Sequence, residues 1–148
     1  MSDHLKPADK LVWFLQERAK ELNCLYRIEE LLNKPDAILD QVCRGIIEAI
    51  PPGWQYPDIC QAKLTIEDSI YTSTNYTDTA WSHSANIRVH EEIVGRIVIN
   101  YSKEMPSADQ GPFLKEETKL IETIADRIGH FITYHMMKHL FAQMQTAP

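Results

Sequence analysis

Cys60-Gln61-Ala62-Lys63-Leu64-Thr65-Ile66 alternates apolar and polar residues over its whole length. Successive side chains of a strand point to opposite faces. Cys60, Ala62, Leu64 and Ile66 therefore share one face, and the stretch reads as a half-buried strand. Glu67-Asp68 follows as a tight turn, and residues 69–76, rich in Thr, Tyr and Ile, as the returning strand. Residues 77–83 form a connection carrying Trp81. A third strand, 84–90, sets Ala85, Ile87 and Val89 against Asn86, Arg88 and His90. Glu91-Glu92 makes the next turn, and the fourth strand, 93–101, has apolar residues on both faces, which marks a central position.

Helical periodicity flanks this block on both sides. Leu11, Val12, Leu15, Ala19, Leu22, Leu25 and Ile28 recur at helical spacing and predict a long helix over 9–33, after a disordered lead-in over 1–8. Pro35 disfavours helix at the residue before it and so ends this one. A second helix over 36–50 carries Ile38, Leu39, Val42, Cys43, Ile46, Ile47 and Ile50, and Pro51-Pro52-Gly53 stops it. The last helix, 113–145, presents Leu114, Ile121, Ile124, Ala125, Ile128, Phe131 and Ile132 as core candidates. The expected fold is α+β: one domain over 1–148, an antiparallel sheet of four or five strands, and long N- and C-terminal helices.

Length matters here. A helix of about 30 residues runs about 45 Å, against roughly 30–35 Å for a domain of this size. Leu140, Phe141 and Met144 therefore continue the apolar set with no domain left to cover. In the first helix Leu11-Val12-Trp13-Phe14-Leu15 is apolar all round, as in helices buried on more than one side. Both features predict a homodimer through Leu11, Phe14, Leu15 and Leu22 of the first helix and Ile128, Phe131, His135 and Leu140 of the last.

Val94-Gly95-Arg96-Ile97-Val98-Ile99, a loop, and then Phe113-Leu114-Lys115-Glu116-Glu117 leading into Leu120-Ile121-Glu122-Thr123-Ile124-Ala125-Asp126-Arg127-Ile128 resemble the late strand and final helix of a GAF domain, a relative of the PAS fold. Three stretches extend the resemblance: Ala19-Lys20-Glu21-Leu22-Asn23-Cys24-Leu25-Tyr26-Arg27-Ile28, Ile50-Pro51-Pro52-Gly53-Trp54-Gln55-Tyr56-Pro57 and Asp109-Gln110-Gly111-Pro112-Phe113-Leu114-Lys115-Glu116-Glu117. They are similar to the N-terminal module that precedes a sensor histidine kinase core or a pyruvate-phosphate-dikinase-like region in certain prokaryotic multidomain proteins. The resemblance implies a sensory or regulatory role without catalysis, with a kinase or dikinase-like output domain in cis or in trans. It also implies a small-molecule pocket, for which Trp54, Tyr71, Tyr76, Trp81, His83 and Arg88 are the candidates. Aromatic faces and one guanidinium suit a small planar or anionic molecule. The connection 77–83 is shorter than the segment that walls and lids the pocket in GAF domains.

Chemistry-bearing motifs are sparse. There is no GxGxxG, no GxxxxGK[ST], no HExxH and no GxSxG. His135 and His139 stand four apart, a spacing that can present two imidazoles to a metal, but no third ligand joins them, so neither a metal nor a cofactor is expected. Cys24, Cys43 and Cys60 form no CxxC pair and fall on apolar faces. They leave one enzymatic alternative, a thiol-dependent reductase of free methionine sulfoxide, as found among GAF domains. A purely structural dimerisation domain is the other. The net charge of −6 and the lack of a basic stripe argue against nucleic acid. No stretch approaches the roughly 20 apolar residues of a membrane span, and no signal-peptide core is present. A reducing cytoplasm fits three unpaired cysteines.

Overall fold

The structure is a computed structural model that describes residues 6–146. The chain runs α1 (Pro7–Leu32), α2 (Leu39–Ala49), two 3-10 turns at Pro51–Gly53 and Pro57–Ile59, β1 (Cys60–Ile66), β2 (Ser69–Thr72), β3 (Ser82–Val89), β4 (Glu92–Tyr101) and α3 (Lys115–Thr146). The strands form one antiparallel sheet in the order β2-β1-β4-β3. The fold is α+β, with the sheet flanked by N- and C-terminal helices.

Residues 1–5 of the expected lead-in lie outside the described residues. Pro7 and Ala8 already belong to α1, because proline's fixed φ suits the first helical turn. α2 starts at Leu39 rather than residue 36, since Ile38 is still extended. β2 stops at Thr72 rather than residue 76. There Ser73 turns back onto β1, its amide donating to the Ala62 carbonyl at 2.9 Å. Asn75, at φ 60°, turns the chain again.

Register follows from the alternation. Ala62 faces Ile99 and Leu64 faces Ile97 across β1–β4, while Ile97 faces Ala85 across β4–β3. These residues point to the helix side, where Ala62, Leu64, Ile97 and Ile99 are fully buried. The β3–β4 turn consists of His90 and Glu91, both at positive φ, the combination whose twist matches that of a two-residue hairpin. The helical face of the sheet is closed by α2 through Val42, Cys43, Ile46 and Ile47 and by α3 through Ile121, Ile124 and Ile128. The other face carries no helix, and Arg96, Ser84 and Asn86 lie open on it, Arg96 donating to Ser84 Oγ at 2.7 Å.

Candidate functional site

The first helix puts an unexpected face inward. The residues of α1 that it buries are Glu17, Glu21, Cys24 and Ile28, a stripe spaced four, three and four apart. Leu11, Leu15, Leu22 and Tyr26 lie nearly opposite, counted at 100° per residue, and are 55–70% exposed. The apolar periodicity that predicts the helix thus marks its outer surface over most of its length. Of the apolar positions that predict the helix, Ile28 is fully buried and Leu25 is half-buried against the core.

Two ion pairs set α1 against α3. Arg18 Nη1 meets Glu116 at 3.1 Å, and Arg127 Nε meets Glu29 at 3.2 Å. The pairs lie eleven residues apart on each helix (18 to 29, 116 to 127), so α1 and α3 run parallel in one register. In that register the start of α3 lies level with Glu17, and the end of α1 lies level with His130. Residues 7–16 of α1 therefore project from one end of the domain, and the part of α3 beyond its last core contacts, residues 133–146, from the other, about 15 Å and about 21 Å at 1.5 Å per residue. The projecting part of α3 exposes Tyr134, Met136, Met137, Leu140, Phe141 and Met144.

Beneath α1 sits a buried acidic knot. Glu117 is fully buried; its carboxylate accepts the Gln55 amide at 2.7 Å and the Leu114 amide at 2.8 Å. The second bond is half of a capping box, with the glutamate at the third helical position reaching back to the residue before the helix. The first ties the loop after α2 to the start of α3. Lys20 Nζ donates to Glu17 and to the Gln55 carbonyl, and Arg18 pairs with Glu21 at 2.8 Å. Burial pushes the Glu117 carboxyl up to about 7 against the pull of its two amide bonds. Burial likewise raises Glu21 to about 7, while Arg18 opposes it.

The six ligand candidates do not converge. Trp54 is fully buried, its indole Nε1–H donating to His83 Nε2 at 3.0 Å. His83 stacks on Phe113 at 3.8 Å, and Phe113 stacks on Tyr101 at 4.9 Å. These rings belong to the core on the helix side of the sheet. The indole bond makes Nε2 an acceptor, which leaves the His83 proton on Nδ1, and desolvation pulls the imidazole pKa down to about 4. Tyr71 also points to the helix side, where it meets the Arg44 guanidinium at the mouth of a cleft of about 520 Å³ between α2 and β2. Tyr76 lies in the loop over the open face, bonded to Asp78 and Asn100. Trp81 is half-buried against the core, and Arg88 is exposed, donating to the Glu91 carbonyl. The aromatic count that suggests a pocket instead supplies a plug between sheet and helices.

The dimer residues divide as well. Leu11, Phe14, Leu15, Leu22 and Leu140 are exposed. Ile128 is 1% exposed and Phe131 7%; both pack in the core, because the inward face of α3 runs through them. His135 is half-buried, its ring 4.1 Å from that of Phe131. Glu117 has no role in the pattern-based reading, which opens the helix at Phe113; α3 starts at Lys115, and only that start puts Glu117 at the third helical position. The three cysteines are free and buried, and burial raises the Cys24 and Cys43 thiols to about 12 and Cys60 further. Among the described residues no group of three or more His, Cys, Asp or Glu could hold a metal ion, and no helix is long and apolar enough to cross a membrane.

No protein-family model, curated protein or solved structure matches the chain.

Proposed function

We propose that this chain is a cytoplasmic, non-catalytic regulatory module of GAF-like type that works as a homodimer and transmits through its projecting helices. The observation that carries the reading is the pair of uncovered apolar seams. Leu11, Leu15, Leu22 and Tyr26 recur at four, seven and four residues along the outer face of α1. Tyr134, Met137, Phe141 and Met144 recur at three, four and three along the projecting end of α3. Both are spacings of helix–helix seams. A second copy related by a twofold axis offers each seam an identical partner in a parallel, self-complementary contact. Helices packed this way have discrete alternative alignments, so a cue that favours one alignment can be read at the far end of α3. A kinase or dikinase-like output domain, in cis or in trans, is the reader that the sequence resemblance suggests.

A thiol-dependent reductase is the weaker alternative. The reactive species is the thiolate, and thiols buried and raised to about 12 supply almost none at neutral pH.

Sedimentation at micromolar concentration tests the proposal. The parent chain is expected to run as a dimer, and a Leu15→Glu/Leu22→Glu variant as a folded monomer with unchanged circular dichroism. A parent that stays monomeric at about 100 micromolar removes the proposal.

A further inference from the structure

Where α1 stops, α3 continues, and the step between them is a cleft of about 600 Å³. That volume lies within the usual range of small-ligand sites. α1 ends because Pro35 forbids its continuation, and Lys34 hangs over the step. The opposite wall is one face of α3: Arg127, Phe131, Tyr134 and Lys138 follow at four, three and four residues and line the cleft on successive turns. His130 flanks them.

The wall's charge is out of keeping with the molecule. The chain carries a net −6. The cleft nevertheless gathers Lys34, Arg127 and Lys138 against one carboxylate, Glu29, which Arg127 already engages at 3.2 Å. Cations near the end of α1 complement its dipole, which accounts for Lys34 and Arg127. It does not account for Lys138, about 16 Å farther along α3 than Arg127. Alongside these cations stand a phenol ring, 62% exposed at Tyr134, and the imidazoles of His130 and His135. Two exposed ammonium groups beside a guanidinium that one carboxylate only partly satisfies call for an anion of more than one charge, and an exposed ring calls for a flat apolar partner.

We propose that this cleft is a binding site for a small aromatic phosphate. Its phosphoryl oxygens accept from Lys34 and Lys138, its ring lies against Tyr134, and Arg127, held by Glu29 lower on the same wall, adds positive charge to the cleft. The site is separate from the open sheet face and from the seam of α1; it shares Tyr134 with the seam of α3, so a dimer closed along that seam covers the ring and the monomeric chain presents it open. It does sit at the root of the projecting part of α3, where an occupant bridges that helix to the end of α1.

The test is titration of the full chain, followed by amide chemical shifts and calorimetry, with phenyl phosphate, inorganic phosphate and phenol as separate probes. Phenyl phosphate is expected to bind at least about tenfold tighter than either fragment, with shifts centred on residues 32–35 and 127–138. Lys34→Glu/Lys138→Glu, both at exposed positions, is expected to weaken binding by about tenfold or more without changing circular dichroism or the thermal midpoint. Tyr134→Ala is expected to bring phenyl phosphate down to the affinity of inorganic phosphate. No binding of phenyl phosphate at about 10 mM, or binding unchanged in the charge-reversed variant, overturns the proposal. Repeating the titration on Leu15→Glu/Leu22→Glu keeps the two readings apart: binding that survives in the monomer stands whatever becomes of the dimer.

Discussion

The two halves of α3 are one unbroken helix with opposite relations to water. In the first half Leu120, Ile121, Ile124, Ile128 and Phe131 face the sheet and are at most 7% exposed, while Lys119, Glu122 and Asp126 face out. In the second half the inward line passes to His135, Lys138 and His139 and becomes polar. Met137, Leu140, Phe141 and Met144 lie on the other side, half or more exposed. An overlong core helix would keep its apolar stripe on one face past the domain edge. Here the stripe changes sides, so the second half presents a separate surface that the sheet does not cover. α1 repeats the lesson in its middle turns, with Glu17 and Glu21 inside and Leu15 and Leu22 outside.

Truncating one residue in each half breaks this comparison most sharply. Ile124→Ala removes buried methyls from a fully packed site and is expected to cost about 2–5 kcal/mol of stability. Leu140→Ala removes a comparable side chain from water and is expected to shift the monomer by no more than about 0.5 kcal/mol. Urea unfolding at low concentration measures both. Equal losses would mean that the second half is packed within its own domain and that the two-surface account is wrong.

The next effect is smaller and concerns how the first half approaches the sheet. Gly129 lies in mid-helix, where glycine costs about 1 kcal/mol relative to alanine. It is tolerated because a Cβ there would run into the carbonyl oxygen of Arg88 on β3. Backbone cannot swing aside as a side chain can. Gly129→Ala is therefore expected to destabilise by about 1–3 kcal/mol despite its better helix propensity, whereas glycine-to-alanine changes in exposed helices stabilise. A gain in thermal midpoint would show that α3 stands farther from β3 than the close approach requires.

Much of this architecture is legible in the residues themselves, and the failures share one cause. Alternation in 60–66 and in the apolar positions of β3 gives the sheet with its inward face, and the prolines at 35, 51 and 52 mark the helix ends. Periodicity, however, identifies an apolar stripe without saying what covers it. In α3 the stripe through Ile121, Ile124 and Ile128 is core, so Ile128 and Phe131 fall there rather than at a dimer contact. In α1 the equivalent stripe is outside, and the inward face begins with two glutamates because Arg18 pairs with Glu21 and Lys20 with Glu17, while Lys20 also donates to the Gln55 carbonyl and Arg18 also meets Glu116. The pairs themselves are local, at three residues, but what turns this face inward is distant in sequence, Gln55 against Lys20 and Glu116 against Arg18, and no local pattern records that. Trp54 and His83 fail as pocket residues for the same reason. Their bond spans 29 residues of sequence, and only the fold brings indole and imidazole together.

The smallest expected effect separates the polar clamp at the start of α3 from the apolar packing that follows it. Glu117 has its pKa raised from 4.5 to about 7 in the fold. Between those pH values the folded chain binds more protons at this site than the unfolded chain, so its contribution to stability is full below pH 4.5 and is lost as pH rises through 7. Glu21 acts in the same direction. His83 acts in the opposite one: lowered from 6.5 to about 4, it contributes stability above pH 6.5 that is lost as pH falls towards 4. The slope of the parent chain is therefore a difference of opposed terms, and the informative quantity is its change in Glu117→Gln. That variant removes one titration and turns an amide N–H₂ towards one of the two backbone N–H donors, leaving that donor unpaired. It is expected to cost about 1–3 kcal/mol at pH 5. By pH 7.5 the gap should be narrower by about 1–2 kcal/mol, since only the parent loses its Glu117 contribution over that range. Urea midpoints of both chains at the two pH values measure it. A gap that is the same at pH 5 and pH 7.5 would mean that Glu117 is ionised throughout, held down by the amides of Gln55 and Leu114 more strongly than burial holds it up.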